Sequence, residues 1–552
     1  MGSAGGVGSA GADAVVIGAG HNGLVAANLL ADAGWSVLVL EAAEAPGGAV
    51  RTAEITAPGF RSDLFSAFYP LGAASPVLRE LGLDRYGLRW RHAPEVLAHV
   101  TPDDRCVVLS RDLDATARGL DGFAPGDGAA WKEMAAEWAR IRDPLLETVL
   151  RPFPPVRGTP RLLRALGTAD ALRFARMVVE PVRRFADERF AGEGAKLLLA
   201  GNALHTDLGP DIAGSAVFGW LLCMLGQDVG FPVPEGGAGR IVDALVARLE
   251  ERGGRVECGR PVREVLLRGG RAVGVRDAEG TPVTARRAVL ADVPAPVLYR
   301  DLVGEENLPS RFVRDLDRFQ WDTATVKIDW ALDGPVPWAA EEARRAGTVH
   351  LGADMNGLRG YAADLAAGRV PEEPFLLFGQ MTVADPSRSP AGTESAWAYT
   401  HVPRDLGWGE ADLRRHVERI EATVERNAPG FRDLVRARSA AGPADLQRRN
   451  PGLVDGSING GTAAVHQQLV FRPVPGLARA DTPIDRLFLS GSSAHPGGAV
   501  HGGAGANAAR AALAASGRLG PLYRGVVRAA HKRIYAEPRR AQHRSRTHDL
   551  RP

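Results

Sequence analysis

Between residues 14 and 41 the rhythm of apolar and polar positions changes twice. Ala14–Ile17 is an unbroken apolar run, as in a short strand buried on both faces. Gly18-Ala19-Gly20-His21-Asn22-Gly23 interrupts it, and an alanine- and leucine-rich stretch to about Ala33 predicts a helix. Gly34 turns the chain, and Ser36–Leu40 predicts a second strand that ends at Glu41.

Two later stretches show related patterns. Phe231–Gly237 (FPVPEGG) leads into Arg240–Arg252, whose apolar residues recur at helical spacing. Gly254–Val256, Pro261–Leu267, Ala272–Arg276 and Ala288–Ala291 then predict strands. Further on, Leu487–Leu489 predicts a short strand, Gly491 ends it, a glycine-rich loop follows and Ala506–Leu513 predicts a helix. Leu522–Tyr535 predicts another helix. Residues 1–12, rich in Gly, Ser and Ala, predict a mobile tail and lack the basic residue of a secretory leader. Apolar runs such as Ala216–Gly226 fall short of the ~20 residues that cross a bilayer.

The first glycine turn carries chemistry. Gly18 permits the tight turn, Gly20 lets backbone approach a pyrophosphate, and Gly23 lets the helix pack closely on the strand. A helix N-terminus offers free N–H groups and partial positive charge to phosphates. Glu41 follows in position to accept hydrogen bonds from ribose hydroxyls. With both strands, the helix and the acid in order, the unit reads as dinucleotide-binding. The alternative is a βαβ unit whose glycines only make a turn.

Pro46-Gly47-Gly48 and Arg51-Thr52 narrow the dinucleotide, because a second glycine pair admits close backbone approach and an arginine pairs with phosphate. Here the chain resembles the FAD-binding fingerprint of the phytoene desaturase and amine oxidase superfamily. The usual Gly-Gly-Arg is displaced to Gly47-Gly48-Ala49-Val50-Arg51-Thr52. Residues 484–513 (IDRLFLSGSSAHPGGAVHGGAGANAARAAL) resemble the segment that closes over the flavin in that superfamily. The resemblance implies that Gly491 and Ser492 meet the pyrophosphate or ribitol, and that the following helix points at the flavin's pyrimidine edge. His495-Pro496-Gly497-Gly498 with Val500 resembles the phytoene desaturase-like branch. By the same resemblance the backbone near Pro261–Val265 lies against adenine, with Val262 as the contact. FAD is then expected to be held non-covalently.

The implied fold class is α/β: a Rossmann-like FAD-binding domain assembled from discontinuous segments, plus a mixed α+β substrate domain. The segments are 12–75, 232–300 and 482–520 for the FAD domain, 76–231 and 301–481 for the substrate domain, and 521–552 for a basic tail. GFRSDLFSAFYPL (59–71), ALHTDLGPDIAGSAVFGW (203–220) and NGGTAAVHQQLVFRPVPG (459–476) resemble the phytoene dehydrogenase-like subgroup that includes pyridine nucleotide-disulfide oxidoreductase domain-containing protein 2 and O-type carotene ketolases. Thiol redox chemistry is unsupported. Cys106, Cys223 and Cys258 form no close pair, as a dithiol reductase requires.

Charge excludes little else. Lys and Arg number 67 against 65 Asp and Glu, which makes no case for nucleic acid. The cysteine usage fits a cytoplasmic protein with no metal site. The one biased segment is 523–552, where nine Arg and Lys face Glu537 and Asp549. It reads either as a solvated end or as a basic tail for peripheral contact with an anionic membrane.

A flavin oxidoreductase needs a dry pocket and a C–H bond placed against N5. His495 and His205 are the candidate proton-handling residues, with His466 and His501 behind them, and Asp63 reads as structural. No second nucleotide fingerprint occurs, so reduced flavin would pass electrons to oxygen, a quinone or another acceptor. The expected reaction is desaturation or oxidation of a largely apolar small molecule by hydride transfer to the flavin. A carotenoid ketolase or isomerase, an amine oxidase and a non-catalytic FAD-binding protein stand as alternatives.

Overall fold

A computed structural model describes residues 11–537. The chain opens with β1 (Ala12–Ile17), α1 (His21–Asp32) and β2 (Val37–Leu40). β3 (Glu95–Val100) and β4 (Cys106–Leu109) follow, then helices α2 (Asp127–Val149), α3 (Gly158–Val179), α4 (Glu193–Ala203), α5 (Ser215–Val229) and α6 (Gly239–Glu251). Next come β5 (Arg255–Glu257), β6 (Val262–Leu267), β7 (Ala272–Asp277) and β8 (Pro282–Ala291). β9 (Ala324–Leu332), β10 (Ala346–Leu351), β11 (Leu376–Gln380), β12 (Glu394–Val402) and β13 (Val435–Ala441) belong to a second sheet. β14 (Leu487–Leu489), α7 (Gly503–Ser516) and α8 (Gly520–Ile534) end the described chain.

The first sheet has the order β6-β7-β8-β1-β2-β5, with β14 on β8. β1, β2, β5, β14 and the end of β8 run parallel, and all four residues of β2 are buried. A parallel sheet covered on both faces demands such unbroken apolar runs. β8 does two jobs. Its start pairs antiparallel with β7 and its end pairs parallel with β1 and β14. Three stretches far apart in sequence thereby meet at one parallel edge. Ala12 is a paired, buried residue of β1, which corrects its assignment to a mobile tail. Residues 1–10 lie outside the described residues.

The second sheet, β13-β9-β12-β11-β10-β3-β4, is antiparallel except where β10 meets β3. Val77, Leu78, Leu81 and Leu83, just past residue 75, pack on the α1 side of the Rossmann-like core, and Phe312 and Leu316, just past residue 300, pack on its other face. The expected apolar run of 216–226 is α5, packed on α4.

Candidate active site

The glycine turn is built by close packing. Gly18 has φ +91°, a conformation natural to glycine, and a Cβ there would lie 2.8 Å from the Asp292 carbonyl. At Gly20 a Cβ would meet the Asp292 carboxylate at 2.5 Å, and at Gly23 the Gly18 carbonyl at 2.3 Å. Gly20 offers α1 no capping side chain, and the Gly23 N–H donates to Asp292 Oδ2 at 2.8 Å. The second glycine pair comes to the same place. Gly47 donates to the Ala19 carbonyl at 2.9 Å, and Gly48 lies against Gly20. Glu41 accepts from the N–H groups of Ala19 at 2.7 Å and Ala43 at 2.9 Å, which leaves lone pairs open for further donors. Arg51 donates to the Arg449 carbonyl and lies 5.3 Å over the Phe65 ring.

The C-terminal loop closes on this turn. A Cβ at Gly491 would lie 2.8 Å from the Val293 carbonyl, and one at Gly498 2.9 Å from the Asn459 carbonyl. His501 Nδ1 accepts from the Gly503 N–H at 2.9 Å, so Nε2 carries the proton and donates to the Gly498 carbonyl at 3.0 Å. Val500 is buried in the same core as α1. Val262 is half-buried at the start of β6, two residues after Arg260, whose N–H donates to the Glu41 carbonyl at 2.8 Å. The turn and loop bury polar atoms without partners: His21 Nε2, both side-chain polar atoms of Asn22, Arg51 Nε and Asn459 Nδ2. Orphaned buried groups mark an interior shaped for a polar ligand, and a dinucleotide's phosphates and hydroxyls suit this donor set.

A cavity of about 330 Å³ lies between that loop and the second sheet. Phe65, Phe68, Phe218, Leu221, Leu222 and Phe231 give it apolar walls. The sheet contributes Thr325 and Lys327 from β9 and Trp397 and Tyr399 from β12. Residues two apart in a strand share a face, and Lys327 is paired directly with Tyr399 across the strands. Trp397 and Tyr399 stack at 5.9 Å with 16° between planes. Opposite Trp397 stands Gly379, where a Cβ would lie 2.2 Å from the indole, so this glycine makes room for the ring. Lys327 donates to Asp329, and both are buried. Burial pushes the Asp329 carboxyl up, and the Lys327 ammonium opposes that rise.

The candidate histidines separate. His205 lines the cavity and meets His350 Nε2 to Nε2 at 2.8 Å. Burial, aided by His401, pulls His205 down to about 3, so the ring is neutral at ordinary pH. His495 is not on the cavity wall. Its Nε2 bonds the Arg151 carbonyl at 3.0 Å, so the ring ties the loop to the segment that follows α2. His466 is exposed and bonds Gln320 at 3.1 Å. Asp63 is fully buried, paired with Arg388 at 2.7 Å and accepting from Thr52 and from the Ala238 N–H, a structural post. All three cysteines are free, and burial pushes each thiol up, away from the reactive thiolate.

Several site residues escaped the sequence reading. Lys327 and Asp329 are charges at alternate positions of an otherwise apolar strand, a signal present in TVKIDWAL. Asp322 accepts from the N–H groups of Ile458 and Asn459 at 2.9 Å and Gly461 at 3.1 Å, which sets the loop beside the cavity. Arg472 is buried and donates to the carbonyls of Ser492, Thr462, Asn459 and Gly460, joining that loop to Ser492. Asp292 gave no motif, since only the fold brings it under the glycine turn.

A Rossmann-like unit with a second glycine loop beside a largely apolar cavity is the arrangement of a dinucleotide-binding protein with a ligand pocket next to the cofactor. The chain belongs to the flavin containing amine oxidoreductase family, whose profile matches residues 23–513. It is an FAD-dependent oxidoreductase. The chain is 29% identical to pyridine nucleotide-disulfide oxidoreductase domain-containing protein 2 of Mus musculus, over 90% of this chain and 92% of that one. It is 27% identical to the zeta-carotene-forming phytoene desaturase of Myxococcus xanthus, over 88% and 90%. The fold is shared with an oxidoreductase from Methanosarcina mazei at a TM-score of 0.61 and 17% identity, over 91% and 99%.

Proposed function

We propose that this enzyme desaturates or oxidises a largely apolar small molecule. The observation that carries this reading is the cavity wall, where phenylalanine and leucine side chains face the loop that would cover the flavin. The phytoene desaturase relatives support the same substrate class. Gly18, Gly20 and Gly23 would pass the pyrophosphate, Glu41 the ribose, and Gly47, Gly48 and Arg51 the second close approach. Gly491, Ser492, Gly498 and Val500 would line the flavin side, with Val262 toward adenine. Bound FAD supplies acceptance of two electrons from a substrate C–H bond. The chain's own residues orient the substrate and exclude water. Lys327, held by Asp329, presents a fixed ammonium to the cavity, and His205 stands there as a neutral imidazole. Oxygen, a quinone or another acceptor would then take the electrons.

One observation favours a second reading. The Trp397–Tyr399 stack resembles a surface for a cationic amine. Against it, the Lys327 ammonium already lies 5.8 Å from the Trp397 ring and would repel a second cation. Anaerobic mixing of the FAD-loaded enzyme with polyene hydrocarbons or with amines separates the two. Bleaching of the flavin band by polyenes supports desaturation, and bleaching by amines alone sinks it.

We further propose peripheral contact with an anionic membrane surface. Leu519, Leu522 and Val526 are 74%, 67% and 62% exposed at and along α8, which also carries Arg524, Arg528, Lys532 and Arg533. Among the described residues no helix is long and apolar enough to cross a membrane. The basic residues of 539–551 lie outside the described residues.

A further inference from the structure

A second cavity, of about 340 Å³, shares no wall residue with the first. It opens between α7, α2 and the short helix Pro76–Glu80. Its wall carries five arginines. Two of them are accounted for: Arg142 pairs with Asp143 and Asp228 at 2.9 Å, and Arg161 with Glu147 at 3.0 Å. Arg79, Arg151 and Arg510 form no ion pair among the described residues, and Glu80 is the remaining carboxylate on the wall.

Arg510 is the only charged residue of α7, a helix otherwise of Ala, Gly, Leu, Asn and Ser. Its guanidinium is half-buried and makes one long contact, to Asn507 Oδ1 at 3.4 Å. Burial and the neighbouring Arg151 charge pull it down to about 10, and Glu80 only partly offsets them. Like charges held together in a partly desolvated cleft are costly unless an anion joins them.

We infer that this cleft binds a phosphate-type oxyanion, with Arg79, Arg151 and Arg510 as the donors. Guanidinium forks match phosphoryl oxygens in geometry and charge. The volume leaves room for a substituent on the phosphate, so the group belongs either to a soluble phosphate ester or to a lipid headgroup. The cleft is joined to the flavin-side loop, because the Arg151 carbonyl holds His495.

The test uses the full chain loaded with FAD. Inorganic phosphate is titrated calorimetrically at constant ionic strength. Separately, the protein is sedimented with vesicles of phosphatidylcholine, with and without phosphatidylglycerol. Binding in at least one arm is expected, weakened tenfold or more by Arg510→Gln and by Arg79→Gln but unchanged by Arg263→Gln on exposed β6. Saturable phosphate binding points to a soluble ester. Variant-sensitive binding to phosphatidylglycerol vesicles alone points to a headgroup. Absence of both, or binding that Arg510→Gln and Arg79→Gln leave untouched, overturns the inference. Flavin content and thermal unfolding report the fold of each variant, and Arg79, on the exposed rim, decides the matter where Arg510→Gln fails to fold.

Discussion

At the scale of single residues, the buried pair Lys327–Asp329 and the lone buried acid Asp292 behave oppositely. Removing one member of a buried pair strands the other's charge, at about 3–5 kcal/mol. Lys327→Met is therefore expected to lower stability by that order in chemical denaturation, while Lys327→Met with Asp329→Leu recovers most of it. Equal losses in both variants would mean that the pair is not coupled. Among the described residues Asp292 has no cationic partner: burial, with Glu41 adding, lifts its carboxyl to about 7 against the opposing Gly23 N–H. The unfolded carboxyl releases its proton near pH 4 and the folded one only near 7. The stability tied to this group is thus present in acid and falls as pH rises through 7. Asp292→Asn keeps an acceptor for the Gly23 N–H. Its Tm should exceed that of the wild type at pH 8, with the gap closing toward pH 4. A gap independent of pH would place the titration elsewhere. At the glycine turn, Gly20→Val should abolish FAD retention, because even its Cβ would overlap Asp292. Glu41→Ala should weaken FAD binding by roughly 1.5–3 kcal/mol, the scale of charge-assisted hydrogen bonds. Flavin released on denaturing each purified variant measures both effects.

At the scale of elements, the legible parts of the chain are those whose burial imposes a simple pattern. β1, α1, β2 and β14 could be read because a parallel sheet needs solid apolar runs and the glycines punctuate them. β9 could not. All nine of its residues are buried, so period-two alternation is lost, and Lys327 and Asp329 sit inside it as a polar pair serving the cavity. The segment 459–476 is legible in the sequence, yet its hold on the site depends on Asp322 and Arg472, which act through backbone groups and leave no spacing to read. His495 shows the same limit: its motif identifies the loop, whereas the partner of its ring lies 344 residues away. The packing of α1 on α7 shows how tightly these elements meet. A Cβ on Gly505 would stand 1.9 Å from the Asn22 carbonyl, a backbone atom that cannot turn aside. Gly505→Ala should cost at least the 1–3 kcal/mol of ordinary overpacking and lower FAD content with it. A Tm unchanged from wild type would show that the helices can part without loss.

At the scale of the whole molecule, the cofactor unit and the second sheet both contribute walls to one cavity. The Rossmann-like unit brings the glycine loops, and the antiparallel sheet brings Lys327, Trp397 and Tyr399 on one face. Between them α5 turns Phe218, Leu221 and Leu222 inward and keeps Trp220, Cys223 and Met224 for the core. This division of α5 offers a test of substrate class that leaves the cofactor site untouched. Leu221→Gln and Leu222→Gln would put amide groups, costly to desolvate, into a wall built for apolar contact. If the substrate is apolar, each should raise KM several-fold with flavin content unchanged, and the pair should raise it further. Turnover should proceed with oxygen or a quinone as the sole acceptor. KM values insensitive to both changes, or strict dependence on added NAD(P), would sink the desaturase reading and favour a hydrophilic substrate or a reductase.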